Sequence, residues 1–119
     1  MKDSGKRRQF STGAVRDRAD DKPRPDLISP FFKLREGAWL AKGGKKYKPR
    51  NWEQGMPLSE FIASLERHLA QLESGATDED HAAAIGFNIM GFIHGQEMLK
   101  RGLWPAEFDD MPDYGKDSK

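Results

Sequence analysis

The sequence predicts an all-α domain: a small helical bundle of three main helices, the second and third an antiparallel hairpin, between extended, partly disordered flanks. Three observations carry this. Apolar residues recur at helical spacing at Leu58, Phe61, Ile62, Leu65, Leu69 and Leu72, within about 100° of arc. Helix start signals precede each candidate helix, and no segment shows the apolar and polar alternation of a convincing strand. With 36% apolar and 33% charged residues in a chain of 119, only part of the chain can bury a core.

Residues 1–25 hold Gly, Ser, Pro and alternating charge with almost no apolar side chains, too little to offset the entropy of ordering, so they read as a flexible basic tail. The helical domain spans residues 26–102. Ser29 as N-cap and Pro30 at the first helical position start a helix that runs from Phe31 to about Ala41 or Tyr47, with Phe31, Leu34, Ala38 and Ala41 on one face. Gly43 and Gly44 weaken its end and Pro49 stops it. The second helix starts near Pro57 or Ser59 and ends at Ser74 and Gly75. Thr77 is expected to cap the third, with Asp78, Glu79 and Asp80 in its first turn, where the helix dipole favours negative charge. A connection this short makes the two helices antiparallel neighbours. The third helix is apolar on nearly every side up to Ile93 and ends at Gly102, so it is expected at the centre. Residues 103–119 read as an extended segment docked by Trp104 and Phe108, then an acidic tail.

Composition excludes several classes. No run approaches the roughly 20 apolar residues of a membrane span, and the first residues lack a signal peptide's apolar stretch. The chain is therefore expected in the cytoplasm, a host cell's if it is phage-encoded, with no membrane partner. The absence of cysteine excludes disulfides, a zinc ribbon and a thiol nucleophile, and a core this small gains stability by homodimerising. The net charge of +1 conceals a split: residues 1–50 carry 15 Lys and Arg against 6 Asp and Glu, and residues 51–119 carry 5 against 13. The basic half suits phosphate; the acidic half suits a solvated face or a metal ion.

Three constellations invite chemistry. Lys42, Lys45, Lys46, Lys48 and Arg50 stand among Tyr47 and Trp52, a pattern that fits a nucleotide or nucleic acid and equally a solvated loop anchored by its aromatic residues. On the third helix His81, Ala84, Asn88, Gly91 and Gly95 form a stripe of small and polar residues that something must approach closely, a planar ligand or a packed helix. On the second, Glu66 and Glu73 lie at one edge of the apolar face and His68 at the other, and with Asp78 to Asp80 across the turn they offer carboxylates to Mg²⁺ or merely cap and solubilise. Phosphate-loop, nucleophile-elbow and H-E-x-x-H signatures are missing.

Several blocks taken together carry a resemblance: Gly13 to Asp17, Lys22-Pro23-Arg24, Asp26 to Pro30, Ala41-Lys42-Gly43, Lys46-Tyr47, Arg50 to Glu53 with Gly55 and Pro57, Arg67-His68, Gly75, Asp80-His81 and Asn88. Residues 13 to about 95 resemble the phage dATP/dGTP diphosphohydrolase N-terminal domain family, itself similar to the MazG-like all-α nucleoside triphosphate pyrophosphohydrolases. The resemblance implies Mg²⁺-dependent, or Mn²⁺-dependent, hydrolysis of a purine deoxynucleoside triphosphate to the monophosphate and pyrophosphate in phage nucleotide metabolism. It implies catalytic roles for Glu53, His68 and His81, and metal ligation by Glu73 and Asp80. Substrate would be bound by Lys42, Lys46, Tyr47, Arg50, Asn51, Trp52, Arg67 and Asn88. One departure stands out: the paired Glu-x-x-Glu and Glu-x-x-Asp metal motifs are missing, since Glu66 is followed three residues on by Leu69 and Glu73 by Ala76. That favours an alternative, a non-catalytic phage accessory protein of the same fold that binds nucleotide, nucleic acid through the basic loop and tail, or a host protein.

Overall fold

The computed structural model describes residues 7–17 and 22–115. Its three long helices are α1, Pro30–Lys46; α2, Leu58–Glu73; and α3, His81–Lys100. Short 3-10 turns lie at Pro25–Leu27, Asn51–Gln54 and Ala106–Phe108. Two strands, β1 at Arg7–Gln9 and β2 at Val15–Asp17, pair antiparallel with Arg8 opposite Arg16. This hairpin departs from the expectation of a tail without strands. Its turn closes through the Phe10 N–H donating to the Ala14 carbonyl at 2.8 Å, with Gly13 at φ 91°. Strands of three mostly charged residues leave no alternation for a pattern search to find. The rest of the expected mobile tail, residues 1–6 and 18–21, lies outside the described residues, as do the last four.

The helix starts follow local chemistry. Ser29 caps α1, its Oγ accepting from the Phe32 N–H at 3.3 Å, and Pro30 takes the first position, where no amide donor is needed. The cap of α3 is Asp80, not Thr77: its Oδ1 accepts from the Ala83 N–H at 3.1 Å, so Asp78 and Glu79 belong to the connecting loop. A carboxylate caps as well as a hydroxyl, and Arg35 of α1 grips this one with two hydrogen bonds of 2.8 and 2.7 Å.

The core lies between α2 and α3. Phe61 and Leu58 are buried against Gly91 and Gly95 of α3, whose Ala83 and Ala84 are buried as well. A Cβ at Gly91 would collide with the Phe61 ring, and one at Gly95 would stand 2.6 Å from the indole of Trp104. The stripe of small residues is thus filled by the chain's own side chains, and the cost of two helical glycines, about 1 kcal/mol each, is offset by seating two aromatic rings, worth about 1.5–3 kcal/mol apiece. Asn88 satisfies its buried amide locally, donating to Ser64 Oγ at 3.1 Å and to the Ala84 carbonyl at 2.9 Å.

The face of α1 that carries its regularly spaced apolar residues is not the one it buries. Phe31, Leu34, Ala38 and Ala41 face outward, and the residue this helix buries is Glu36, against Gly86 of α3. The Arg35 to Asp80 bond ties this helix to the start of α3.

Candidate functional site

The C-terminal half of α1, residues 47–50, the 3-10 turn Asn51–Gln54 and the α3 face carrying Phe87 and Met90 enclose a cavity of about 940 Å³. Its size is that of a small-molecule cleft. The turn that closes it bends through Arg50, which holds φ 62°, the left-handed region that side chains resist; among the described residues no other non-glycine does so. Arg50 then pairs with Glu53 at 2.5 Å. Trp52 is set by edge-on contacts with His94, ring centroids 4.9 Å apart, and Phe87 at 6.0 Å.

Seven of the residues singled out in the sequence line this cavity: Lys42, Lys46, Tyr47, Arg50, Asn51, Trp52 and Glu53. Three cations and three polar or aromatic side chains surround a space whose remaining walls include Trp39, Met56, Phe87 and Met90. Such a space suits an anion carrying a planar group.

The acidic side has one member from the trio Asp78 to Asp80, which the sequence offers either to Mg²⁺ or to capping. Glu79 lines the cavity, and both of its neighbours are engaged elsewhere. Asp78 accepts from His81 Nε2 at 2.8 Å, a bond that holds its carboxyl below the usual range. Asp80 is held by Arg35, which lowers its pKa to about 2, with Lys42 adding to the effect. With its neighbours tied back, Glu79 is the carboxylate of this loop that faces the cavity.

The other candidates are placed elsewhere. His81 has a fully buried side chain, and its Nδ1 lies 2.9 Å from His68 Nδ1. Because the ionised Asp78 can only accept, His81 Nε2 carries a proton toward it, and the Nδ1 atoms of His81 and His68 share a second proton between the rings. The two imidazoles therefore form a chain behind Trp39, whose edge meets His68 at 5.9 Å, and neither lines the cavity. Arg67 is exposed on α2, Asn88 is sealed in the helix interface, and Glu73 is exposed at the end of α2. Among the described residues no group of three or more His, Asp or Glu side chains is arranged to hold a metal ion. Asp80, with both oxygens occupied, and the exposed Glu73 make a poor pair for Mg²⁺; Glu53 and Glu79 are the carboxylates that border the cavity.

One further group escaped the sequence. Glu36 is 9% exposed, its Oε1 has no hydrogen-bond partner among the described residues, and burial, with Asp80 close by, pushes its carboxyl up. A single acidic residue inside a mixed helix carries no sequence signal for this.

Residues 12–102 match the family model described as dATP/dGTP diphosphohydrolase, N-terminal, in agreement with the resemblance read from the sequence. No curated protein and no solved structure matches the chain. No helix among the described residues is long and apolar enough to cross a membrane.

Proposed function

From the premise that this chain belongs to the dATP/dGTP diphosphohydrolase N-terminal family, we propose that its cavity binds a purine deoxynucleoside triphosphate and hydrolyses it to the monophosphate and pyrophosphate. The observation that carries the reading is the convergence of Lys42, Lys46 and Arg50 with Tyr47, Trp52, Glu53 and Glu79 on one space. The cations take the triphosphate, and the base lies against Trp52 or Tyr47. Water attacks the α-phosphorus, the bond from that phosphorus to the bridging oxygen breaks, and pyrophosphate leaves. Glu79 or Glu53 receives the proton of the attacking water. Glu53 and Glu79 would hold magnesium, or manganese, which when bound would supply charge neutralisation for the departing pyrophosphate. The role is one of phage nucleotide metabolism in this reading.

The test is pyrophosphate release from each of the four deoxynucleoside triphosphates with Mg²⁺ or Mn²⁺. Turnover should favour dATP and dGTP and fall about 100-fold or more in Glu79→Gln. No release above a Glu53→Gln, Glu79→Gln double variant would sink the enzyme. The second reading, binding without turnover, draws support from the lack of a three-ligand metal group among the described residues. Affinity equal for dATP, dCTP and heparin, and falling steeply with salt for all three, would favour it.

In the same reading two copies join through the outer face of α1, where Phe31 and Leu34 are 80 and 73% exposed. Sedimentation should then report a dimer that Phe31→Glu converts to monomer.

A further inference from the structure

The segment after α3 is tied to the cavity turn at one point and to the start of α2 at a second. Trp104, 6% exposed, sits in a socket against Gly55, Phe61 and Gly95, and its Nε1–H donates to the backbone carbonyl of Glu53 at 3.1 Å. Six residues on, Asp110 accepts from the Ser59 backbone N–H at 2.9 Å and from its hydroxyl at 2.6 Å, satisfying an amide at the N-terminus of α2 and lowering the carboxyl's pKa. The short connection from the Asn51–Gln54 turn to α2 is therefore gripped at both ends by one segment. Gly55 is where that grip is tightest. It holds φ 105°, and a Cβ there would stand 3.1 Å from the indole, so the backbone runs directly against the ring.

The turn needs outside support. It bends through a strained Arg50, its backbone bonds are of the 3-10 kind, such as Glu53 N–H to the Arg50 carbonyl at 2.9 Å, its side-chain bonds Arg50 to Glu53 and Gln54 to Asn51 stay within the turn, and Asn51 and Gln54 are exposed. It also carries three of the residues that line the cavity, Asn51, Trp52 and Glu53. The segment that supports it begins beyond residue 102, where the family match ends.

We infer that Trp104 is a positioning residue for the cavity: through the Glu53 carbonyl, with Asp110 as a second anchor at Ser59, the segment after α3 holds Trp52 and Glu53 in their binding orientation. Trp104 touches no ligand in this role. Its effect on binding rests on the proposed nucleotide reading, whereas its effect on the turn does not.

The experiment uses the full chain and two readouts. In ligand-free protein, hydrogen exchange is followed at the amides of residues 51–55 and, as a reference, along the middle of α3. Trp104→Phe keeps a ring in the socket and removes the N–H. It should accelerate exchange at 51–55 by about tenfold or more and leave the α3 amides nearly unchanged; Asp110→Asn should do the same to a smaller degree. Unchanged exchange at 51–55, or equal acceleration in both regions, would overturn the inference, the latter because it marks a merely structural side chain. In parallel, dATP with Mg²⁺ is titrated into wild type, Trp104→Phe, Glu53→Gln and the double variant. Trp104→Phe should weaken binding roughly three- to tenfold, with much less additional loss in the Glu53→Gln background. Fully additive losses would overturn the route through Glu53. If wild type itself binds no nucleotide, the nucleotide reading fails, and the exchange result alone decides the positioning role.

Discussion

The α2–α3 hairpin and the cavity wall are built on opposite principles. The hairpin holds itself by shape: Phe61 against Gly91, Leu58 and Trp104 against Gly95, and Asn88 closed by a hydroxyl and a carbonyl. The cavity wall has little apolar burial. Helix α1 leaves Phe31 and Leu34 in solvent and is fastened by the Arg35 to Asp80 pair beside a buried carboxylate, and the turn is bent through a left-handed arginine. Packing specifies the hairpin, and a few polar bonds specify the site. Such a wall can be re-aimed by single changes that leave the hairpin folded, a common arrangement where binding residues ride on surface segments over a rigid scaffold.

The sharpest way to break this contrast is in the hairpin. Phe61→Ala should cost about 3–5 kcal/mol in a urea melt, from lost transfer and the cavity left against Gly91. Gly91→Ala, which drives a methyl group into the same ring, should cost about 1–3 kcal/mol. A change to the cavity wall should cost less stability and more binding: Arg50→Ala should weaken dATP binding about tenfold, the worth of one charge-assisted contact, with the melting temperature nearly unchanged. A loss of stability matching that of Phe61→Ala would erase the distinction.

The two carboxylates under α1 sharpen it by pH. Asp80 has its pKa lowered to about 2, so its ionised form stabilises the fold at pH above its ordinary value of 3.8, and that contribution is lost as pH falls toward 2. Asp80→Asn should therefore be less stable than wild type at pH 7, and the gap should close between about pH 4 and pH 2 in an acid titration followed by circular dichroism. Glu36 has the opposite sign. Its carboxyl is pushed up by burial, so its protonated form suits the fold and ionisation at neutral pH opposes it. Glu36→Gln should stabilise the protein at pH 7 by about 1 kcal/mol, with the gain shrinking as pH falls and wild type takes up its own proton. A destabilised Glu36→Gln at pH 7 would mean that the buried oxygen has a partner beyond the described residues.

Much of this architecture is legible in the amino-acid sequence. The apolar spacing of α2, Ser29 with Pro30, and the glycine endings at Gly75 and Gly102 are local signals, because a helix and its caps are decided by residues within a turn or two of one another. The basic cluster is legible for the same reason, since its cations and rings are neighbours in sequence, although Lys42, Lys45 and Lys46 belong to the last turns of α1 and not to the loop that the sequence suggests. His68 and His81, 13 residues apart on different helices, are legible as chemistry-bearing residues but not as partners of each other.

Short-range periodicity and charge thus suffice for the three long helices, the α2–α3 hairpin and the grouping of basic and aromatic residues. Only tertiary structure decided which face of α1 turns inward, that Phe61 and Trp104 rather than a ligand fill the glycine stripe, and that Glu79 rather than Asp80 faces the cavity. Each depends on a contact between segments far apart in the chain, Arg35 with Asp80 or Trp104 with Glu53, and a long-range contact leaves no periodicity in the residues that make it.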